Sequence, residues 1–277
     1  MADQNLVPSD LVELEAAFRK SPTDLSIQQK ILSLLRLHRI RRPDLVMKIG
    51  PYLLKKGRGR LGNSVYDVRE QILIAALDLH RLGDAQQELK WLQENFPKSL
   101  RVKGLEAMIH EARAVPHHTS NTDTAAQNAE NSYRKALELY AEILNEDPCN
   151  GFAMKRKVCM LRSKGTQEGT NEAVRALNEY LVLFPTDVEA WREMADLYLE
   201  LQQVELARFA LEEVVMLSPI NYASHLKLAE ALYTLGDFST ARRYYSQSLE
   251  LNPDHNARAA YGLVLCATAL QPGRGGG

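Results

Sequence analysis

The sequence predicts an all-α chain, a solenoid of repeated helix pairs preceded by N-terminal capping helices. Three features carry that expectation. Pro219 and Pro253 lie 34 residues apart. The same small and large residue types recur at matched offsets before each of them. The same phase can also be followed back to Tyr66 through several earlier segments.

Counted from Val188, one helix carries Trp191, Met194, Ala195 and Tyr198, and the next carries Ala207, Leu211 and Val214 before Pro219. Counted from Tyr222, the corresponding residues are His225, Leu228, Ala229 and Leu232, then Ala241, Tyr245 and Ser248 before Pro253. This is the pattern of a tetratricopeptide (TPR) repeat, a helix–turn–helix unit of that length. Alanines are needed where two antiparallel helices cross closely, and larger side chains fill the grooves around the crossing. Gly236 and Asp237 turn the chain between helices, and the prolines stop each second helix.

The elements follow in order. Residues 1–65 are helical but out of phase. Ser9-Asp10 with Glu13 resembles a capping box that opens a helix through Arg19. An apolar-periodic run from Leu25 to Ile40 follows, stopped by Pro43, and a third helix runs from Asp44 to about Lys55. Gly57-Arg58-Gly59-Arg60 reads as a loop into the array. These helices are expected to cap its N-terminal side. The array itself spans 66–270. Unit 66–99 holds Ile72, Leu73 and Ala76, then Ala85, Leu89, Leu92 and Pro97.

Unit 100–150 has a clear second helix (Ala136, Tyr140, Ile143, Pro148), but Lys103 and Glu106 stand where large apolar residues belong. It also carries an insert, 115–131, poor in large apolar residues and expected to be an exposed, disordered loop. Unit 151–187 absorbs three extra residues between Thr166 and Thr170. Units 188–221 and 222–255 are regular, 256–270 is a half-unit, and the Gly-rich 271–277 is expected to be a flexible tail.

Composition narrows the function. No apolar run approaches the roughly 18–20 residues needed to cross a bilayer. The first ten residues lack the basic and apolar regions of a secretory signal. Three cysteines (Cys149, Cys159, Cys266) and no Asn-x-Ser/Thr acceptor fit the cytosol or nucleus. The net charge is −1, but residues 1–60 carry twelve Lys/Arg against six Asp/Glu. That asymmetry points to partner contacts rather than to bulk nucleic-acid binding.

Catalytic motifs are missing: there is no phosphate loop, no H-E-x-x-H and no C-x-x-C. His38, His80, His110, His225 and His255 are dispersed, and Cys159 lacks a neighbouring His. His117-His118 falls in the polar insert without further ligands. Neither enzyme activity nor a metal or cofactor is expected.

Surface remains. First helices of a TPR stack line the concave face, which places Phe152, Lys155, Cys159 and Arg162 there, then Glu189, Arg192, Asp196 and Leu199, then Leu226, Glu230 and Tyr233. Lys155, Arg156 and Lys157, with Arg162 and Lys164, form a dense basic cluster suited to an acidic segment. Arg36, Arg39, Arg41 and Arg42, then Lys55, Lys56, Arg58 and Arg60, form further basic patches. These could face anionic lipid, an acidic protein or water. A chaperone-type carboxylate clamp is disfavoured, because Cys159, Glu193 and Ala223 occupy places where Asn, Asn and Lys are required.

Several segments are not generic repeat sequence. They include Gln71 to Asp78, Phe96-Pro97 through Lys103, Ile143-Leu144 through Pro148, Lys155-Arg156-Lys157 and Ala176 to Leu181 (ALNEYL). Glu189-Ala190-Trp191 leading to Tyr198, and Ala259 to Leu263, belong with them. In order, they resemble the subunit 2 family of the endoplasmic reticulum (ER) membrane protein complex from about Asp44 to Leu270. The resemblance implies a non-catalytic, cytosol-facing scaffold that contacts subunit 8 or 9 and cytosolic segments of membrane-embedded subunits. The assembled complex inserts tail-anchored and multipass proteins. Membrane association would then run through partners. Two departures stand out: the 115–131 insert replaces a tight turn, and the family's final helices are not evident. The rival expectation is a free-standing TPR adaptor or co-chaperone for soluble clients.

Overall fold

The computed structural model describes residues 9–114 and 123–271. Fourteen α-helices and no strand occur among the described residues, so the all-α expectation holds. The chain forms two compact units, 1–148 and 149–277. In the first, α1 (Ser9–Lys20), α2 (Leu25–Leu37), α3 (Pro43–Leu61), α4 (Ser64–Asp78), α5 (Leu82–Asn95), α6 (Leu100–Ala114) and α7 (Asp123–Glu146) pack each against the next. In the second, α8 (Gly151–Ser163), α9 (Gln167–Leu183), α10 (Val188–Glu200), α11 (Val204–Leu217), α12 (Tyr222–Thr234), α13 (Phe238–Leu251) and α14 (Ala257–Ala269) do the same.

The small residues predicted at helix crossings are buried. Ala76 with Ala85, Ala195 with Ala207, and Ala229 with Ala241 have no exposed surface. Ala107 and Ala136 complete the same pairing on α6 and α7. The polar residues of α6 do not interrupt it. Lys103 reaches Glu146 at 2.8 Å and Glu142 at 3.4 Å, and Glu106 accepts a hydrogen bond from Gln93 at 3.0 Å.

The turns between the two helices of a pair share one design. Arg39, His80, Gln202 and Gly236 each take a positive φ, between 53° and 84°. The residue after each donates its backbone N–H five positions back: Ile40 to Leu35, Arg81 to Ala76, Gln203 to Tyr198 and Asp237 to Leu232, at 2.8–3.0 Å. This closes the first helix with the left-handed cap that glycine adopts most easily. The start of the next pair is also locked. Trp191 Nε1 donates to the Pro185 carbonyl at 2.8 Å, and His225 Nε2 to that of Pro219 at 2.7 Å. Asp187, Asn221 and Asn256 cap α10, α12 and α14 through their side chains.

Gln28 makes the same lock to the Pro22 carbonyl at 2.6 Å, and Asp24 caps α2. The α2–α3 hairpin is therefore built like a repeat, although the sequence suggests only out-of-phase capping helices. Its turn is longer, with five residues, His38 to Arg42, between α2 and α3.

Two expected loops are corrected. Gly57 to Arg60 lies inside α3, because Val46, Ile49, Leu53 and Leu61 are buried along one face and carry the helix through the glycines. Residues 123–131 of the expected 115–131 loop belong to α7. Ala126, Gln127, Ala129 and Glu130 are good helix formers, and extending an anchored helix avoids the cost of a new nucleus. The remainder of that insert, 115–122, with His117 and His118, lies outside the described residues, as does the expected tail apart from Gln271.

Two stability outcomes follow from this geometry. Gln202→Gly, which relieves a left-handed residue at the place Gly236 occupies one unit later, should stabilise the chain by about 0.5–1 kcal/mol and raise its melting temperature. Ala207→Trp should overpack the α10–α11 crossing and cost about 1–3 kcal/mol or more. An unchanged melting curve for Ala207→Trp would mean that the repeat phase is misassigned.

Candidate partner-binding face

The residues expected to face a partner all lie on the first helices of the second unit, α8, α10 and α12. The structure joins many of them to one another's neighbours. Lys155 Nζ lies 2.5 Å from Asp187, and Tyr180 donates its hydroxyl to the same carboxylate at 2.7 Å. The Lys155 ammonium also sits 5.1 Å from the Tyr180 ring centre. Arg162 pairs with Glu193 at 3.5 Å and with Glu200. Arg192 pairs with Glu189 on its own helix and approaches the Ser224 hydroxyl at 3.5 Å. Asp196 meets Lys227 at 2.8 Å, and Glu230 meets Arg258 of α14 at 2.6 Å.

These contacts change the reading of the basic cluster. Lys155 and Arg162 are committed to intramolecular carboxylates, so their charge is partly neutralised before any partner arrives. Arg156 and Lys157 are half-buried, and Phe152, Cys159, Glu189 and Leu199 are exposed. Tyr233 is half-buried and packs edge-on against Phe238, with ring centres 5.1 Å apart. Leu226 is the one clear departure, because it is only 8% exposed and belongs to the core. Its side chain turns inward with Leu228 and Ala229, so it is not available to a partner.

Asp187, Tyr180, Glu193, Glu200, Lys227 and Arg258 pair with residues of the face; of these, sequence reasoning singles out only Glu193, as a departure from the carboxylate clamp. A signal for some of them was present. Arg162 and Glu193 are 31 residues apart, as are Asp196 and Lys227; so are Arg36 and Asp67, and Glu70 and Arg101, in the first unit. Residues three apart share a helix face, so an offset one turn short of the 34-residue period brings successive first helices into register. Each exposed pair of this kind contributes about 0–1 kcal/mol.

Asp187 has two roles. It caps α10 by accepting from the Glu189 and Ala190 amides at 3.1 and 3.2 Å, and it holds Lys155. Burial pushes its carboxyl upward, but hydrogen bonds from Lys155 and Tyr180 outweigh this and hold it below the ordinary range. Burial alone would lower Lys155, yet its bond to Asp187 leaves it raised. Burial and the same carboxylate raise Tyr180.

The family described as "EMC2 TPR-like repeat domain" matches residues 105–252. ER membrane protein complex subunit 2-A of Xenopus laevis is 36% identical over 233 residues, covering 83% of this chain and 71% of that protein. The chain belongs to the ER membrane protein complex subunit 2 family. Subunit 2 of Dictyostelium discoideum is 29% identical over 285 residues, covering 96% of this chain and 82% of the relative. TPR repeat protein oca3 of Schizosaccharomyces pombe is 30% identical over 217 residues, covering 76% of this chain and 70% of its own. The subunit 2 match spans α7 to α13 and so includes every residue that the sequence places on the face, though not Arg258.

Asp187→Asn retains a capping oxygen but removes the charge. Because the folded carboxyl lies below its unfolded value, near 3.9, its stabilisation is present at neutral pH and is lost as pH falls through the folded value. The variant should therefore be less stable at pH 7 by about 1 kcal/mol or less. That gap should persist at pH 6 and narrow as pH falls below about 4 in parallel thermal melts.

Proposed function

We propose that this chain is a non-catalytic scaffold subunit of the ER membrane protein complex, held on the cytoplasmic face of the ER membrane by other subunits. The observation that carries the reading is the family match, which reaches Xenopus and Dictyostelium relatives over most of the chain. No helix among the described residues is long and apolar enough to cross a membrane.

The proposed partners are subunit 8 or 9 and the cytosolic segments of membrane-embedded subunits. The proposed contribution to the assembly is support for insertion of tail-anchored and multipass proteins. Stacked helix pairs suit such a role, because each unit offers a similar ledge while its own ion pairs hold adjacent first helices in register. Phe152, Leu199 and the unsheathed parts of Arg156 and Lys157 are the proposed contacts in the second unit.

Affinity purification from detergent-solubilised membranes tests this assignment. The tagged chain should recover other subunits of the complex in near-stoichiometric amounts. Recovery of soluble clients or chaperones alone would favour the free-standing adaptor and overturn the scaffold reading.

A further inference from the structure

The lengthened turn between α2 and α3 borders a cleft in the first unit whose other wall is α4. Leu35, Ile40, Val46, Ile74 and Ala75 give it an apolar lining. Guanidinium groups of Arg36, Arg39, Arg41, Arg42 and Arg101 surround that lining. Equivalent turns elsewhere place one residue between the left-handed position and the next helix: Arg81 after His80, Gln203 after Gln202, Asp237 after Gly236. Here three residues, Ile40, Arg41 and Arg42, occupy that interval. The two added residues account for both the space and part of its charge.

The arginines are arranged asymmetrically with respect to their carboxylates. Arg41 pairs with Asp78, and their side chains are 74% and 21% exposed; Arg101 pairs with Glu70, at 73% and 19%. The carboxylates thus sit in the wall while the guanidiniums project from it. Arg101 donates Nε to Glu70 at 2.9 Å, whereas Arg41 gives both Nε and a terminal nitrogen to the two oxygens of Asp78. Arg36 meets Asp67 at 3.4 Å. Arg42 meets Glu15 at 3.2 Å; five arginines against Glu15, Asp67, Glu70 and Asp78 leave the cleft and its rim net positive by one charge. Arginine forks match carboxylates in geometry as well as charge.

We infer that this cleft is a docking site for an acidic peptide segment that places an apolar side chain on the Ile40–Ile74 lining and its carboxylates on Arg39 and Arg101. A peptide fits better than a flat anionic bilayer. The apolar surface is recessed between helices, where an inserted side chain reaches it and a flat sheet of headgroups does not. The inference is independent of membership in the membrane complex, since it concerns binding by the isolated full chain.

The test uses a fluorescein-labelled octapeptide with two leucines flanked by aspartates, titrated with full-length protein at low salt and read by fluorescence anisotropy. Saturable binding is expected, at least tenfold weaker for Arg39→Glu and weaker when the leucines of the probe are replaced by glycine. Arg39→Gly should also bind more weakly while melting no lower than the parent, because glycine suits the left-handed backbone at that position. It thereby separates loss of the site from loss of the fold. Unchanged affinity in both Arg39 variants, indifference to the leucines, or retention on phosphatidylserine vesicles that the peptide fails to displace would overturn the inference.

Discussion

Close crossing of antiparallel helices at small residues is the constraint on which the rest of the structure depends. Ala76 and Ala85, Ala107 and Ala136, Ala195 and Ala207, and Ala229 and Ala241 are fully buried, as is Ala173 in the unit where Val158 replaces the first alanine. At such a crossing there is no room for an added methylene without displacing a neighbouring helix. The surrounding positions can then vary widely in size and polarity. Lys103 on α6 shows how far this goes: a charged residue at a usually apolar place is accommodated by carboxylates of α7.

Once the crossings are set, the turns and locks decide how one pair hands over to the next. A left-handed residue follows α2, α4, α8, α10 and α12, and in three pairs a polar side chain at the fourth position grips the carbonyl of a proline six residues earlier. Tryptophan, histidine and glutamine all perform this second task, at Trp191, His225 and Gln28. What matters is a donor of suitable reach rather than a particular chemistry. This also accounts for buried His225, whose ring is a structural donor to backbone. Between pairs, the charges 31 residues apart stitch first helices together, which leaves less unpaired charge on the proposed partner face than the residue types suggest.

Much of this was legible before any coordinates. The crossing alanines, the terminating prolines and the unit boundaries from Tyr66 onward follow from periodicity, because a buried crossing restricts residue size at fixed intervals. The polar insert was misread in part: lack of apolar residues rules out burial, but a helix already anchored at Tyr133 and Ala136 can extend outward without any. The α3 glycines misled for the converse reason, since a buried face outweighs the local preference of Gly57 and Gly59. Leu226 was assigned outward by position alone, whereas its apolar side chain packs inward.

The sequence by itself determined the class of fold, the spacing of its units and the family to which it belongs, because these depend on local periodicity and on residues read in order. Tertiary structure decided which charges are already paired, which turn is long enough to open a cleft, and which apolar side chains are left outside. Those outcomes depend on where residues about thirty apart come to rest against each other. That placement is set by helix packing, and of it the sequence carries only the 31-residue offset between paired charges.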